Sequence, residues 1–198
     1  MPPLPDRPII LASRSPRRCE LLAQIVWPFT IIVPSESVEC GVCSEETPPE
    51  LVARLAYAKA VDVASGQDDP ALVIGCDTVA TCLGQILGKP RDKEDARRML
   101  RLLRGQTHHV YSGLCLYMIP ESRYVIDVAC TELKMDPVSD QDLEAYLETG
   151  LWEGKAGAFG YQDGWDWLHI VSGSESNVVG LPLELLEELA ERLARENG

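Results

Sequence analysis

Between Leu11 and Leu22 the sequence reads LASRSPRRCELL, with Arg14, Arg17 and Arg18 and two serines set where an apolar strand gives way to a helix. A helix N-terminus exposes unpaired N–H groups and a partial positive charge, so a Ser-x-Ser-Pro turn there already favours an anion. Arginines add forked, permanently charged donors that match phosphate oxygens. Surface arginines paired with Glu20 or with the acidic stretch beyond residue 36 explain the same residues, and the turn alone does not separate the two readings.

Asp77 lies in VIGCDTV, among apolar or small neighbours. Its charge therefore requires a cation, a metal or strong donors close by. A purely structural pairing with one arginine accounts for such an acid equally well. Thr78 follows at once and, in a strand, points to the opposite face. Lys59 in LAYAKA, Lys89 in LGKP and Lys155 in GKAGAFGYQ each read, singly, as surface charges. The glycines beside Lys155 would let backbone approach a ligand. The weight of the three lysines lies in their combination.

Two other chemistries compete. Cys40 and Cys43 form a CxxC, half of a zinc site or a redox pair, but there is no second CxxC, and His108, His109 and His169 lack a matching ligand spacing. Glutamates beside these thiols would raise their pKa, which disfavours a reactive thiolate. A Ser-His-Asp hydrolase lacks its Gly-x-Ser-x-Gly elbow. His108 and His109 read as the start of a strand, one facing inward and one outward.

These residues sit in a chain of 198 residues with 31 acids, 18 bases and a formal net charge of −13. That length suits one domain spanning residues 1–198. The acidic balance argues against a general binder of nucleic acid or anionic membrane, and makes the local cationic clusters stand out. No apolar run approaches the length of a membrane span, and MPPLPDRPII is too rich in proline for a signal peptide. Seven scattered cysteines, an odd number, fit reduced thiols in a cytoplasm.

The elements that must position the site follow from periodicity and caps. PIILAS is a buried strand; Ser15 caps a helix with Pro16 at its first position; FTIIVP is a second strand. The segment from Glu36 to Glu50 holds five glutamates and no base, and reads as a solvated loop. Thr47 and Glu50 make a capping box for the helix through LAYAKA. ALVIGCDTVATCL is the strongest strand, GQILGKP a turn, and Asp92 caps a helix stopped at Gly105. A long hairpin, a helix from Ser139 to Gly150, the strand WLHIVSG and a last helix from Pro182 complete the chain; the glycines of GSESNVVGLP could shape a ligand wall, and a turn before the last helix explains them equally well. Strands alternating with helices around a central hairpin predict α/β with a mixed sheet.

Seven segments, in order along nearly the whole chain, resemble the Maf-like nucleoside triphosphate pyrophosphatase family: LASRSPRRCELL, LAYAKA, VIGCDTV, LGKPRD, ARRMLRLLRGQTHHVYSG, GKAGAFGYQ and NVVGLPL. The resemblance implies an elongated mixed sheet with flanking helices and two lobes around a cleft, as in inosine triphosphatases. It implies hydrolysis of a nucleoside triphosphate to the monophosphate and pyrophosphate, usually with Mg²⁺ (Mn²⁺ or Co²⁺ as alternatives) and often as a homodimer. By resemblance, Asp77 is the acid that accepts a proton from the attacking water, and Lys89 joins it as a catalytic position. Ser13, Arg17, Arg18, Lys59, Lys89 and Lys155 match phosphate-side positions. Glu39, with Glu36 as the near alternative, matches an acid beside the metal that Asp77 also holds.

Arg17, Thr78 and Gln162 resemble the branch that prefers dTTP and UTP. A glutamine amide both donates and accepts, which suits the carbonyl and N3–H edge of thymine or uracil. Gly154 departs from the family, which usually carries Asp immediately before this lysine; Glu153 is the neighbouring candidate to replace it. Cys76 and Ser112 are small departures. A regulatory nucleotide-binding protein of septum formation, with little turnover, is the alternative that Gly154 favours.

Overall fold

Six consecutive buried residues, Ala71 to Cys76, open the central strand, and a strand buried on both sides needs a layer on each face. The computed structural model describes residues 7–25, 27–38 and 46–195. In it β1 (Ile9–Ala12), β2 (Phe29–Ile32), β3 (Ala71–Cys82), β4 (Gln85–Leu87), β5 (Thr107–Ile119), β6 (Arg123–Met135) and β7 (Leu168–Ser172) form one seven-stranded sheet. Its order is β2-β1-β3-β5-β6-β7, with β4 paired to β3. β1 runs parallel to β2 and β3, and the other pairs are antiparallel. This is the mixed sheet expected. The helices are α1 (Pro16–Ala23), α2 (Pro48–Ala64), α3 (Lys93–Leu103), α4 (Asp140–Glu148), α5 (Glu175–Val179) and α6 (Leu183–Arg195).

Period-two alternation along β3 sorts its side chains between the layers. Leu72, Ile74 and Cys76 pack with Leu21 and Leu22 of α1 and with Leu186 and Leu189 of α6. Ala71 and Val73 turn to the other face, against Ala56, Ala60 and Val63 of α2. β5 and β6, 13 residues each, run through both lobes. Their Leu114, Leu116 and Val125 belong to the first cluster. Their Val110, Leu133 and Met135 belong to a second, built with α3, α4 and Phe159. Two long strands thus tie two lobes together.

α2 lies very close to the sheet. A Cβ on Gly75 would stand 2.2 Å from the Ala56 carbonyl oxygen, and one on Gly113 would stand 2.2 Å from that of Val52. Glycine is required at both by this approach of backbone to backbone.

The caps fall where expected, with one change of detail. The Glu50 carboxylate accepts from the Thr47 N–H at 2.8 Å, and Asp92 accepts from the Asp95 N–H at 2.8 Å. Ser15 holds the N-cap position of α1, but its side chain makes no capping bond; its N–H instead donates to Ser13 Oγ at 3.1 Å. Two elements were not foreseen. β4 lies within the stretch read as a turn, folded back on β3 through Leu83 and Gly84 (φ 48° and 76°), a two-residue hairpin turn. α5 lies within the stretch read as the turn before the last helix. The acidic segment contains one 3-10 turn, Glu36–Val38, and residues 39–45 lie outside the described residues. Among the described residues no helix is long and apolar enough to cross a membrane.

Candidate active site

β1 ends with Ala12 opposite Gly75, and β4 takes the same edge of β3 only from Ala80 onward. Residues 76–79 of β3 therefore have a strand partner on one side only, β5. Both faces of the sheet open at this gap. Asp77 and Thr78, which point oppositely, consequently line one cavity of about 480 Å³.

On the α2 side, Lys59 Nζ lies 2.5 Å from Asp77 Oδ1, the two side chains only 5% and 15% exposed. This is the cation that the apolar surroundings of Asp77 require. Lys59 is buried, which replaces its reading as a solvated surface lysine. Asp77 Oδ2 accepts no hydrogen bond from the described residues.

On the other face, the Thr78 hydroxyl lies 2.8 Å from Ser112 Oγ and accepts from Arg18 Nη2 at 3.1 Å. Arg18 Nε donates to the Gly180 carbonyl at 2.7 Å, so this arginine pins the α1 turn to the loop after α5. Arg17 reaches across the cleft, Nη2 to the Gly154 carbonyl at 3.3 Å. Burial, and then the adjacent Arg18 charge, hold the Arg17 pKa below its ordinary value. An anion entering between them would relieve that repulsion.

Lys155 is buried and ion-paired with Asp163. The Asp163 carboxylate also accepts from the Tyr146 hydroxyl at 2.8 Å and the Gly160 N–H at 3.1 Å. Burial, then Asp163, push the Tyr146 pKa up, so the phenol remains a donor. The carboxylate that position 154 lacks thus reaches Lys155 from Asp163. Glu153, the neighbouring candidate in the sequence, lines the cavity, but the ion pair of Lys155 is with Asp163. Asp163 and Tyr146 were missed; the one visible signal was an acid between glycines in an aromatic run, GYQDGW, whereas Gly180, in the glycine stretch read as a candidate ligand wall, lines the cavity. Asp163→Asn is expected to lower unfolding stability by roughly 1–3 kcal/mol in urea titration, the cost of disturbing a buried hydrogen-bonded acceptor.

The remaining candidates converge on the same cavity. Ser13 is buried in its wall, whereas Lys89 and Gln162 are exposed at it. Lys89 makes no ion pair among the described residues. Arg14 lines the cavity and pairs at 3.3 Å with Glu36, whose side chain is 86% exposed and does not line it. Glu39, Cys40 and Cys43 lie outside the described residues. His108 is buried and His109 half-buried, the inward and outward pair expected.

Among the described residues no group of three or more His, Cys, Asp or Glu side chains could hold a metal by itself. A hard cation that keeps several waters and takes its other ligands from substrate phosphates asks for less. The open Oδ2 of Asp77 fits such a cation, with Arg17, Lys59 and Lys155 nearby to meet the phosphates.

An open-edged mixed sheet whose cleft gathers cations around one acid defines an α/β protein with an anion-receiving site. Comparison with known proteins gives the family. The family described as "Maf-like protein" matches residues 8–193, and the chain belongs to it. The chain is 53% identical over 184 residues to a protein named dTTP/UTP pyrophosphatase from Rhodopirellula baltica, covering 92% of this chain and 81% of that one. A protein of the same name from Geotalea uraniireducens is 42% identical over 176 residues, covering 88% and 89%. Among solved structures, the Staphylococcus aureus Ham1 protein aligns with a TM-score of 0.50 at 10% identity, over 93% of this chain and 98% of that one. That likeness concerns the fold alone.

Proposed function

We propose that this protein hydrolyses nucleoside triphosphates, dTTP and UTP foremost, to the nucleoside monophosphate and pyrophosphate. The observation that carries the reading is the convergence of Arg17, Lys59, Lys89 and Lys155 with Asp77 on one cavity. The names of the relatives support the choice of substrate.

In this reading Asp77 orients a water and takes its proton as the oxygen bonds to the α-phosphorus. The bond from the α-phosphorus to the bridging oxygen breaks, and the electron pair leaves with pyrophosphate. Arg17, Lys89 and Lys155 neutralise the charge that gathers on that leaving group, and Lys59 holds the Asp77 side chain in place through its contact with Oδ1. Fixed charges aimed at developing charge are the largest resource for such transfers. Arg18 holds Thr78 in place beside the substrate. A divalent cation, Mg²⁺ by preference, would be held by Asp77 with Glu39 and would supply Lewis-acid charge to the phosphate oxygens. Gln162, at the rim, offers an amide to the base.

The setting is read as cytoplasmic and the assembly as a homodimer. The described cysteines are free, which supports the first; the family resemblance supports the second. The overall charge of −13 supports a small nucleotide as the partner rather than nucleic acid.

A binding-only regulatory protein drew its support from Gly154. Asp163 now pairs with Lys155, which removes that reason. A panel of canonical and modified triphosphates, with Mg²⁺, Mn²⁺ or Co²⁺, decides between the two. Pyrophosphate release greatest from dTTP and UTP is expected; nucleotide binding without release would favour the regulatory reading.

A further inference from the structure

The cavity has two chemically different ends. The cations and Asp77 line one; the other is walled by Ala80, Leu103, Val110, Met135 and Phe159. Within this apolar end stands His108. It lies on β5 opposite Leu133 of β6, is 4% exposed and lines the cavity. Its Nδ1 is buried and makes no hydrogen bond. A buried polar atom left unmatched is costly, and proteins retain few of them without a use.

Resting on the nucleotide reading above, we propose that His108 is a specificity-determining residue whose imidazole hydrogen-bonds the polar edge of a pyrimidine-2,4-dione base lodged in the apolar end of the cavity. A triphosphate drawn to the cations leaves its base to be placed, and a largely apolar lining suits the faces of that ring. The ring's carbonyls and N3–H then need partners inside the chamber. Gln162 is exposed at the cavity, and among the described residues walling the apolar end the buried polar group is His108. Burial, offset in part by a hydrogen bond to the Gln106 backbone and reinforced by His109, lowers its pKa to about 4. At neutral pH the ring is uncharged, and the nitrogen that Gln106 leaves free can meet an uncharged base edge. A site built to hydrogen-bond such an edge discriminates far more strongly than an apolar slot does.

The test separates the base from the phosphates. Calorimetry measures binding of α,β-imido-UTP and of inorganic tripolyphosphate to the wild type, to His108→Phe, which keeps an aromatic ring without polar atoms, and to His108→Gln, which restores a donor and an acceptor. Thermal unfolding of each variant is recorded alongside. The expected result is a roughly 10–100-fold loss of affinity for α,β-imido-UTP in His108→Phe, the range for one unmade buried hydrogen bond. Tripolyphosphate affinity stays unchanged and His108→Gln recovers much of the loss. Equal weakening of both ligands would assign His108 a structural role and overturn the proposal, as would unaltered binding of the nucleotide analogue to His108→Phe. Should the wild type bind the analogue yet fail to cleave UTP, the catalytic reading falls while the His108 contact is still decided by the same titrations.

Discussion

Replacing Asp77 with Asn is expected to cut dTTP and UTP turnover at least ~10²-fold, the lower range for loss of a general base. The two side chains have nearly the same shape, so the cavity is kept while the charge that handles the attacking water is lost. Lys59, 2.5 Å away and almost wholly buried, would then face a neutral amide. Removing one partner of a buried pair costs stability, on the order of 3–5 kcal/mol when nothing compensates; an amide oxygen can still accept from Lys59, which moderates this. Steady-state rates, normalised to folded protein by circular dichroism, check the prediction. Near-wild-type turnover of dTTP would remove Asp77 from its role.

The second large effect is structural and reaches the site through packing. Gly113 lies directly opposite Asp77 in the β3–β5 ladder. A Cβ there would stand 2.2 Å from the Val52 carbonyl oxygen and 2.7 Å from the Ala53 nitrogen, both backbone atoms of α2. Neither side can yield without lifting the helix that carries Lys59. Gly113→Ala is expected to destabilise the fold by about 3 kcal/mol or more, the upper part of the range for overpacking. Activity should fall with it, because the Lys59–Asp77 contact depends on the same close approach. Urea unfolding measures the first effect; a midpoint equal to that of the wild type would show that α2 has more freedom than its contacts imply.

These two residues also show what a chain read alone can disclose. The need of Asp77 for a cation was legible, because apolar neighbours forbid an unpaired charge. The identity of that cation was not. Lys59 looks like any solvated helical lysine until α2 is brought onto Gly75 and Gly113, and that distance is a tertiary fact. The strands and long helices were legible from alternation and from caps such as Thr47 with Glu50.

Short elements escaped for want of signal. β4 has three residues, and α5 has five, too few for any period to register. α5 is held by tertiary contacts, the Asn177 amide donating to the Val110 carbonyl at 3.1 Å and to Thr131 Oγ1 at 2.9 Å. Asp163 is not legible in the sequence as the partner of Lys155, whose immediate neighbours are Gly154 and Glu153. The chain folds back so that a carboxylate eight residues on meets the lysine.

The gathering of scattered cations around Asp77 has meaning only if water is delivered to one particular phosphorus. Hydrolysis of UTP in H₂¹⁸O, followed by mass spectrometry of both products, tests this most directly. The account predicts one ¹⁸O atom in UMP and none in pyrophosphate, the mark of attack at the α-phosphorus. Label in pyrophosphate beside unlabelled UMP would place the attack at the β-phosphorus and contradict it.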